Sequence, residues 1–433
     1  MTLEKRSAPA NHDSHLFEWL AVATAFLVVN VLSAIFQPPL SFMGGKAWEL
    51  RVYYDIAYQF RHGLPLTGDA PALYRLGIPW LASVLPFADL AKSFFYINLL
   101  ANACTALMLV LLLRYFVRSW KLRTALVCLY LIHWLGPTRF LYFVSADTDS
   151  AVLFFLTAGF LLVERWRRSE SKFDLAMLSL VVLAGVCARE VVLMIPVVFL
   201  VAVRPVGEEG LNVRRLFVGV LPLILGSAVF LSIHAFVHPS TTYSFASSAL
   251  NWAYSKSIPI FVLGFFIALG PVIVLLVLDW KGTRQLLKRN KEVGAFLFLL
   301  LVLAYCGGSD TERFLLWGTP VTLILIGSWF ERNLSILHLP SLVALIVIMQ
   351  LISERAFWNT PDLGYSVENS FVFLTSLSSN AYYLSLYSYH SPRGISALML
   401  IEYVAVGTVI LSWATFRLIR STHPASEDPM LAE

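Results

Sequence analysis

Apolar runs at or near membrane-spanning length recur from Phe17 to Trp413, and they leave few alternatives for the fold. About 20 apolar residues match the hydrocarbon core of a bilayer. Every backbone N–H and C=O must be satisfied within such a segment, so each run that crosses is a helix. Composition agrees: 58% of the 433 residues are hydrophobic and 14% are charged, against about 25% charged in an average soluble chain. The chain reads as an all-α, polytopic transmembrane helix bundle forming one integral domain over residues 16–417.

Twelve crossings are expected, at approximately 16–36, 93–116, 124–144, 150–164, 174–188, 191–203, 216–237, 258–279, 293–306, 314–330, 334–352 and 396–416. With the N-terminus inside, the cytoplasmic turns collect RYFVRSWKLR, ERWRRSESK, RPVGEEGLNVRR, DWKGTRQLLKRNKE, ERN and RLIRS. With Lys5 and Arg6 they hold 21 of the 32 Lys and Arg, the asymmetry of the positive-inside rule. Residues 1–15 and 418–433 are then cytoplasmic tails. MTLEKRSAPANHDSH precedes an apolar run with no small-residue cleavage site and reads as an uncleaved signal anchor. Cys104, Cys128, Cys187 and Cys306 sit in or at the ends of apolar runs without paired spacing, as small core hydrophobes do. No basic cluster alternates with aromatics, so the net charge of +5 does not indicate nucleic acid as a partner.

Residues 175–203 form one apolar run broken only by Arg189 and Glu190. A single helix there would place Lys281, Arg284, Lys288, Arg289 and Lys291 outside, whereas a hairpin of two short helices keeps them inside. Segments 150–164, 174–188, 191–203 and 293–306 are each too short for a bilayer at 1.5 Å per residue. Anchored on the cytoplasmic side, their outer ends stop below the outer surface. Those ends carry Asp147 and Asp149, Arg189 and Glu190, and Asp310, Glu312 and Arg313. Ionisable groups at that depth are expensive unless they face water or one another, so the expectation is an outward-facing polar cavity sunk into the bundle.

Two long external loops flank it, at about 37–92 and 353–395. The first contains WELRVYYDIAYQFRHG, whose apolar and aromatic residues at 48, 52, 53, 56, 57 and 60 follow helical spacing. Glu49, Arg51, Asp55 and Gln59 occupy the other face, which suits a helix lying in the interface. RLGIPWLASVLP, between prolines, reads as a second interfacial or re-entrant helix. The last loop is rich in Ser, Asn and Tyr, and its tyrosines read as an aromatic belt ahead of sugar-stacking groups.

A polytopic bundle with such a first loop resembles the GT-C superfamily of membrane glycosyltransferases. The phrases YYDIAYQFRHGLP, YRLGIPWLASVLP, ADTDSAVLFF, AREVVLMIPVVF and DTERFLLWGTPV are similar to its bacterial branch related to lipid-linked mannosyl- and arabinosyltransferases. The resemblance covers roughly residues 15–330. It implies inverting transfer of a single sugar from a polyprenyl-phosphate donor to a lipid, glycan or protein acceptor on the external face. It also implies a first-loop carboxylate as general base. Many members carry an adjacent acidic pair there; this chain has Glu49 and Asp55, six residues and about 240° of helix apart, so only one can face the cavity.

Displacing a phosphate from an anomeric carbon needs a base for the acceptor hydroxyl and cations for the departing anion. Asp55 is the candidate base, with Glu49 in reserve. Arg75, Arg189 and Arg313 are candidate phosphate ligands. Asp147, Asp149, Glu190, Asp310 and Glu312 line the cavity or bind sugar hydroxyls. The plainer readings are an Arg51–Asp55 surface pair, a snorkelling Arg189 and a lipid-headgroup contact for Arg75. No cofactor is expected: Asp147 and Asp149 form a D-x-D spacing, but two carboxylates do not make a divalent-metal site. His133 and Glu402 read as satisfied bundle polar groups. The rival classes are a secondary transporter and a non-catalytic partner that keeps the bundle without the base. An enzyme requires Asp55 or Glu49 in one cavity with Arg189 and Arg313, while a transporter requires pseudo-symmetric halves. A bacterial inner membrane, with the protein acting in cell-envelope assembly, is the expected setting, in keeping with the absence of an external N-x-[ST] sequon.

Overall fold

The computed structural model describes residues 12–40, 45–46, 49–133, 136–203, 213–256, 258–308, 311–333 and 340–353, with residues 408, 409 and 412. The described residues are helices, 3-10 turns and connecting loops, with no strand among them. The expected crossing at 396–416, the last external loop and Glu402 therefore lie largely or wholly outside the described residues.

The first long helix, α1 (His12–Phe36), precedes two short ones, the amphipathic α2 (Glu49–His62) and the apolar α3 (Gly77–Val84). Then come α4 (Leu90–Leu113), α5 (Trp120–Ile132), α6 (Pro137–Phe143), α7 (Asp149–Ser169), α8 (Lys172–Ala188) and α9 (Met194–Val203). The second half holds α10 (Val213–Phe236), α11 (Phe245–Ser255), α12 (Ile258–Leu269), α13 (Val274–Leu278) and α14 (Trp280–Arg289). It continues with α15 (Lys291–Cys306), α16 (Thr311–Leu316), α17 (Thr319–Arg332) and α18 (Pro340–Ser353). Side chains at helix starts take up orphan N–H groups: Asp89 accepts from Ala91, Ser171 from Phe173 and Asp279 from Gly282.

Four stretches among the described residues are long and apolar enough to cross a membrane: His15–Phe36, Leu90–Leu113, Trp120–Phe143 and Arg215–Phe236. That is compatible with a membrane protein. Large apolar side chains on α1 and α10, among them Ile35, Phe217 and Leu231, stand exposed, as they would against lipid. Inside, α7 packs against α4, α8, α9 and α17. Phe160, Phe199, Phe296 and Trp329 are fully buried there.

Several expected crossings are broken helices. The segment 124–144 divides at His133, where Gly136 and Pro137 restart the chain as α6. The segment 258–279 divides at Gly270. There the Gln350 amide donates to the Leu269 carbonyl at 3.0 Å and accepts from the Val272 N–H at 3.1 Å, satisfying groups that the break exposes. The segment 314–330 divides between α16 and α17. Conversely, the segment expected at 150–164 is longer: α7 has 21 residues, or about 31 Å. It continues through ERWRRS, whose Glu and Arg residues are good helix formers paired across one turn, as in Glu164 with Arg167 at 3.0 Å.

The run from 175 to 203 does reverse. Arg189 takes an extended conformation, Glu190–Leu193 form a 3-10 turn, and Val192 folds back onto Gly185. From there α9 follows α7, with Ile195 against Gly159 and Phe199 edge-on to Trp166, ring centroids 4.9 Å apart. Arg189 and Glu190 stand at the apex of a hairpin.

Charges segregate to the two ends of the bundle. At one end the turns around 114–123, 164–172, 279–292 and 331–333 meet. Glu18 accepts from Arg114 and Arg123, Glu331 from the N–H groups of Arg118 and Ser119, and Asp279 from Arg332. This is the basic end. The hairpin apex, α2 and α3 lie at the other.

Candidate functional site

At that second end the chain builds two adjoining features, a buried ion network and an open groove. Helix α2 serves both. Its Tyr53, Ile56 and Ala57 turn inward and are buried, while Arg51, Asp55 and Tyr58 are exposed.

The network begins at Arg75, buried after the 3-10 turn Ala72–Tyr74. Its guanidinium grips Glu190 in a fork, at 3.2 Å from Nε and 3.0 Å from Nη2, and donates to the Tyr53 hydroxyl at 2.9 Å. Such planar bidentate pairing is what arginine does best. Beside it, Arg189 Nη1 lies 3.1 Å from Asp149 Oδ1 and 3.3 Å from Thr148 Oγ1. The face of the same guanidinium rests 4.7 Å from the centre of the Trp317 ring. Arg313, from α16, donates to Asp147 Oδ1 at 2.7 Å and through Nε to Asp149 Oδ2.

Asp149 opens α7, where a carboxylate also favours the helix dipole. Asn98 on α4 fixes the preceding loop by donating to the carbonyls of Ser145 at 2.9 Å and Asp147 at 2.6 Å. Helix α3 seats on the hairpin apex through Gly77: a Cβ there would meet the Cys187 carbonyl carbon at 2.9 Å. Burial pushes the Asp147 carboxyl up to about 6, against the pull of Arg313. Burial likewise opposes ionisation of Glu190, but the charge and hydrogen bonds of Arg75 outweigh it and hold that carboxyl below its ordinary range.

Six residues expected in a cavity thus come together: Arg75, Arg189, Arg313, Asp147, Asp149 and Glu190. They hold three cations against three anions, each arginine already on a carboxylate. Glu312 is buried on α16 beside Arg313. Asp310 lies outside the described residues. His133 is buried at the end of α5, as a satisfied bundle histidine would be. Among the described residues, no three or more His, Cys, Asp or Glu side chains are grouped to hold a metal ion.

The groove, about 940 Å³, runs between α2, the start of α4 and the α6–α7 connection. Asp55 lines it, with its side chain 56% exposed and Arg51 Nε 3.8 Å away on the next turn. Glu49 opens the same helix, but its side chain lies outside the described residues. Lys46, His62 and Lys92 line the groove too, with Tyr54, Tyr58 and Tyr142. The Lys46 ammonium stands 5.3 Å from the Tyr54 ring centre. Arg61 also borders it but is committed to the carbonyls of residues 82, 83, 85, 87 and 88, tying α2 to the α3–α4 turn.

Between groove and network runs the loop 145–147. On one side Tyr54 bonds the Ser145 hydroxyl at 3.2 Å, and on the other Asp147 meets Arg313. Asp55 therefore shares a cavity with Lys46, His62 and Lys92 and not with Arg189 and Arg313, which lie across this loop, so the single cavity expected of an enzyme is not formed by these residues. Sequence reasoning passed over these cationic neighbours. A signal for them exists: five of the eleven basic residues expected outside, Lys46, Arg51, Arg61, Arg75 and Lys92, fall in the first loop.

The arrangement offers an accessible carboxylate, two lysines, an imidazole and phenolic faces in one open space, backed by a locked, charge-balanced floor. No protein-family model matches the chain, and no curated protein matches it in sequence.

Proposed function

We propose that the protein is a GT-C-like membrane glycosyltransferase that moves one sugar from a polyprenyl-phosphate donor to an acceptor, with Asp55 as general base. The observation that supports this best is the presence of Asp55, Lys46 and Lys92 around one 940 Å³ groove at the end of the bundle away from the basic turns. That volume is in the range of small-molecule sites, roughly 300–1,000 Å³.

In this reading Asp55 takes the proton of the acceptor hydroxyl as its oxygen attacks the anomeric carbon. The bond from that carbon to the phosphate oxygen breaks, and the phosphate leaves as an anion beside Lys46 and Lys92. A single displacement inverts the anomeric centre. Phosphate binding, expected of Arg75, Arg189 and Arg313, passes to the two lysines, because each arginine is already paired. The arginines and their acids instead hold the loop 145–147, whose Ser145 lines the groove. By the positive-inside rule the groove faces the external side and the basic end the cytoplasm, as in a bacterial inner membrane.

The test is release of free polyprenyl phosphate from a panel of polyprenyl-phosphate sugars, supplied with membrane extract as acceptor source. Wild type is expected to release it, and Asp55→Asn to fall by roughly 10²–10⁴-fold while still binding donor. Retention of activity in Asp55→Asn removes the base from the scheme and leaves Glu49→Gln as the next variant. No release with any donor would turn the reading toward a transporter or a non-catalytic partner.

A further inference from the structure

The basic end carries a second cavity, of about 180 Å³, that the transfer reaction does not use. We propose that it is a binding site for a phosphate ester, either an anionic lipid headgroup or a soluble phosphate.

Four basic side chains from four helices border it: Arg167 of α7, Arg215 of α10, Arg289 of α14 and Lys291 of α15. Two acids oppose them. Glu170 is engaged by Arg215 at 2.9 Å, and Glu292 faces Arg167 at 3.7 Å. Arg167 also holds the buried Glu164, just behind the cavity, at 3.0 Å. Arg289 and Lys291 have no hydrogen bond or ion pair through their side chains among the described residues, so the lining keeps an excess of two positive charges. Their convergence is tertiary, since more than 120 residues separate Arg167 from Lys291.

The opposite wall is apolar, formed by Trp166 and the end of α9. A cavity cationic on one side and apolar on the other suits a phosphate joined to a hydrocarbon or glycerol part. Its volume is below the roughly 300–1,000 Å³ of sites for drug-sized ligands, which disfavours anything as large as a nucleotide sugar. Arg289 and Lys291 stand exposed at the mouth of the cavity, and Lys281, Arg284 and Lys288 of α14, exposed too but outside its lining, extend the same positive field outward.

The full-length protein, purified in detergent, is titrated at constant ionic strength with phosphatidylglycerol, phosphatidylcholine or inorganic phosphate while its thermal midpoint is read. The midpoint is expected to rise saturably with phosphatidylglycerol or phosphate. Arg289→Gln/Lys291→Gln should need roughly tenfold more ligand or greater. Arg284→Gln/Lys288→Gln removes the same charge outside the cavity and should titrate like wild type. A response to phosphatidylglycerol alone identifies the lipid as source; a response to inorganic phosphate that competes with the lipid identifies the soluble ester. The proposal is overturned if wild type does not respond, if the cavity variant titrates like wild type, if the outer variant loses as much, or if phosphatidylcholine does equally well. None of these outcomes depends on transferase activity.

Discussion

Asp149→Asn tests whether the paired charges at the hairpin apex act as one unit. The substitution keeps the side chain's shape and removes one of three anions facing three cations. Asp149 is 12% exposed, Arg189 5% and Arg313 26%, so the two arginines lose a partner where water replaces little of it. Breaking a buried pair from one side costs about 3–5 kcal/mol. Arg313 keeps Asp147 and is a quarter exposed, which points to the lower figure, about 3 kcal/mol. That is roughly a hundredfold in the folded-to-unfolded ratio. Reversible unfolding in mixed detergent micelles, followed by tryptophan fluorescence, reads it directly. Arg313→Gln in the same background restores the balance, and the double variant should recover about 1–3 kcal/mol relative to the sum of the singles. A loss under tenfold, with no coupling to Arg313, would refute the claim that these residues share one charge balance.

Glu18→Gln should cost a similar 3–5 kcal/mol, since that carboxylate is fully buried between Arg114 and Arg123. It lies at the basic end, so binding of the proposed donor in the groove should be unchanged, and its loss would contradict the separation of the two ends. Gly77→Ala places a methyl against the backbone at Cys187, which cannot swing aside. About 1–3 kcal/mol and faster hydrogen exchange at residues 186–192 are expected; unaltered exchange there would count against the seating of α3 on the apex. Asp147 supplies a pH dependence: its carboxyl, pushed by burial to about 6, binds a proton more tightly folded than unfolded, where the value is about 3.9. Its contribution is full below pH 4 and is lost as pH rises toward 6, so Asp147→Asn should flatten that part of the stability curve, and an unchanged slope would contradict the assignment.

What could be read along the chain was local: apolar runs, the charges interrupting them and the crowding of Lys and Arg into alternate turns. The reversal at Arg189 was legible because only a hairpin gathers the basic turns on one side. The meeting of Arg75, Arg189, Arg313, Asp147, Asp149 and Glu190 was legible because isolated charges in apolar surroundings need company. Which acid each arginine takes was not, since that depends on helix rotation and the position of the reversal. The repair of the Gly270 break by Gln350 joins residues 80 apart, and nothing near Gly270 announces it. Helix α7 ran past its apolar stretch because hydropathy marks the length of lipid contact, whereas Glu and Arg carry a helix on into water. Lys46, Lys92 and Tyr142 share a groove through tertiary contacts, among them that of Arg61 with the turn before α4, which have no periodic signature.

On the proposed membrane reading, the order of the network along the chain bears on how the protein enters a bilayer. Asp147 and Asp149 are synthesised some 40 residues before Arg189 and about 165 before Arg313. A hairpin tip bearing a guanidinium partitions poorly into lipid by itself, at roughly 2.5–3.5 kcal/mol for an arginine at mid-depth. With α7 already in place, the tip meets a carboxylate waiting at the depth it must reach. Later α16 brings the second arginine to the same pair of aspartates. In this part of the network the acids come first and the bases follow, so neither Arg189 nor Arg313 arrives before its partner, whereas Arg75 precedes Glu190 by 115 residues.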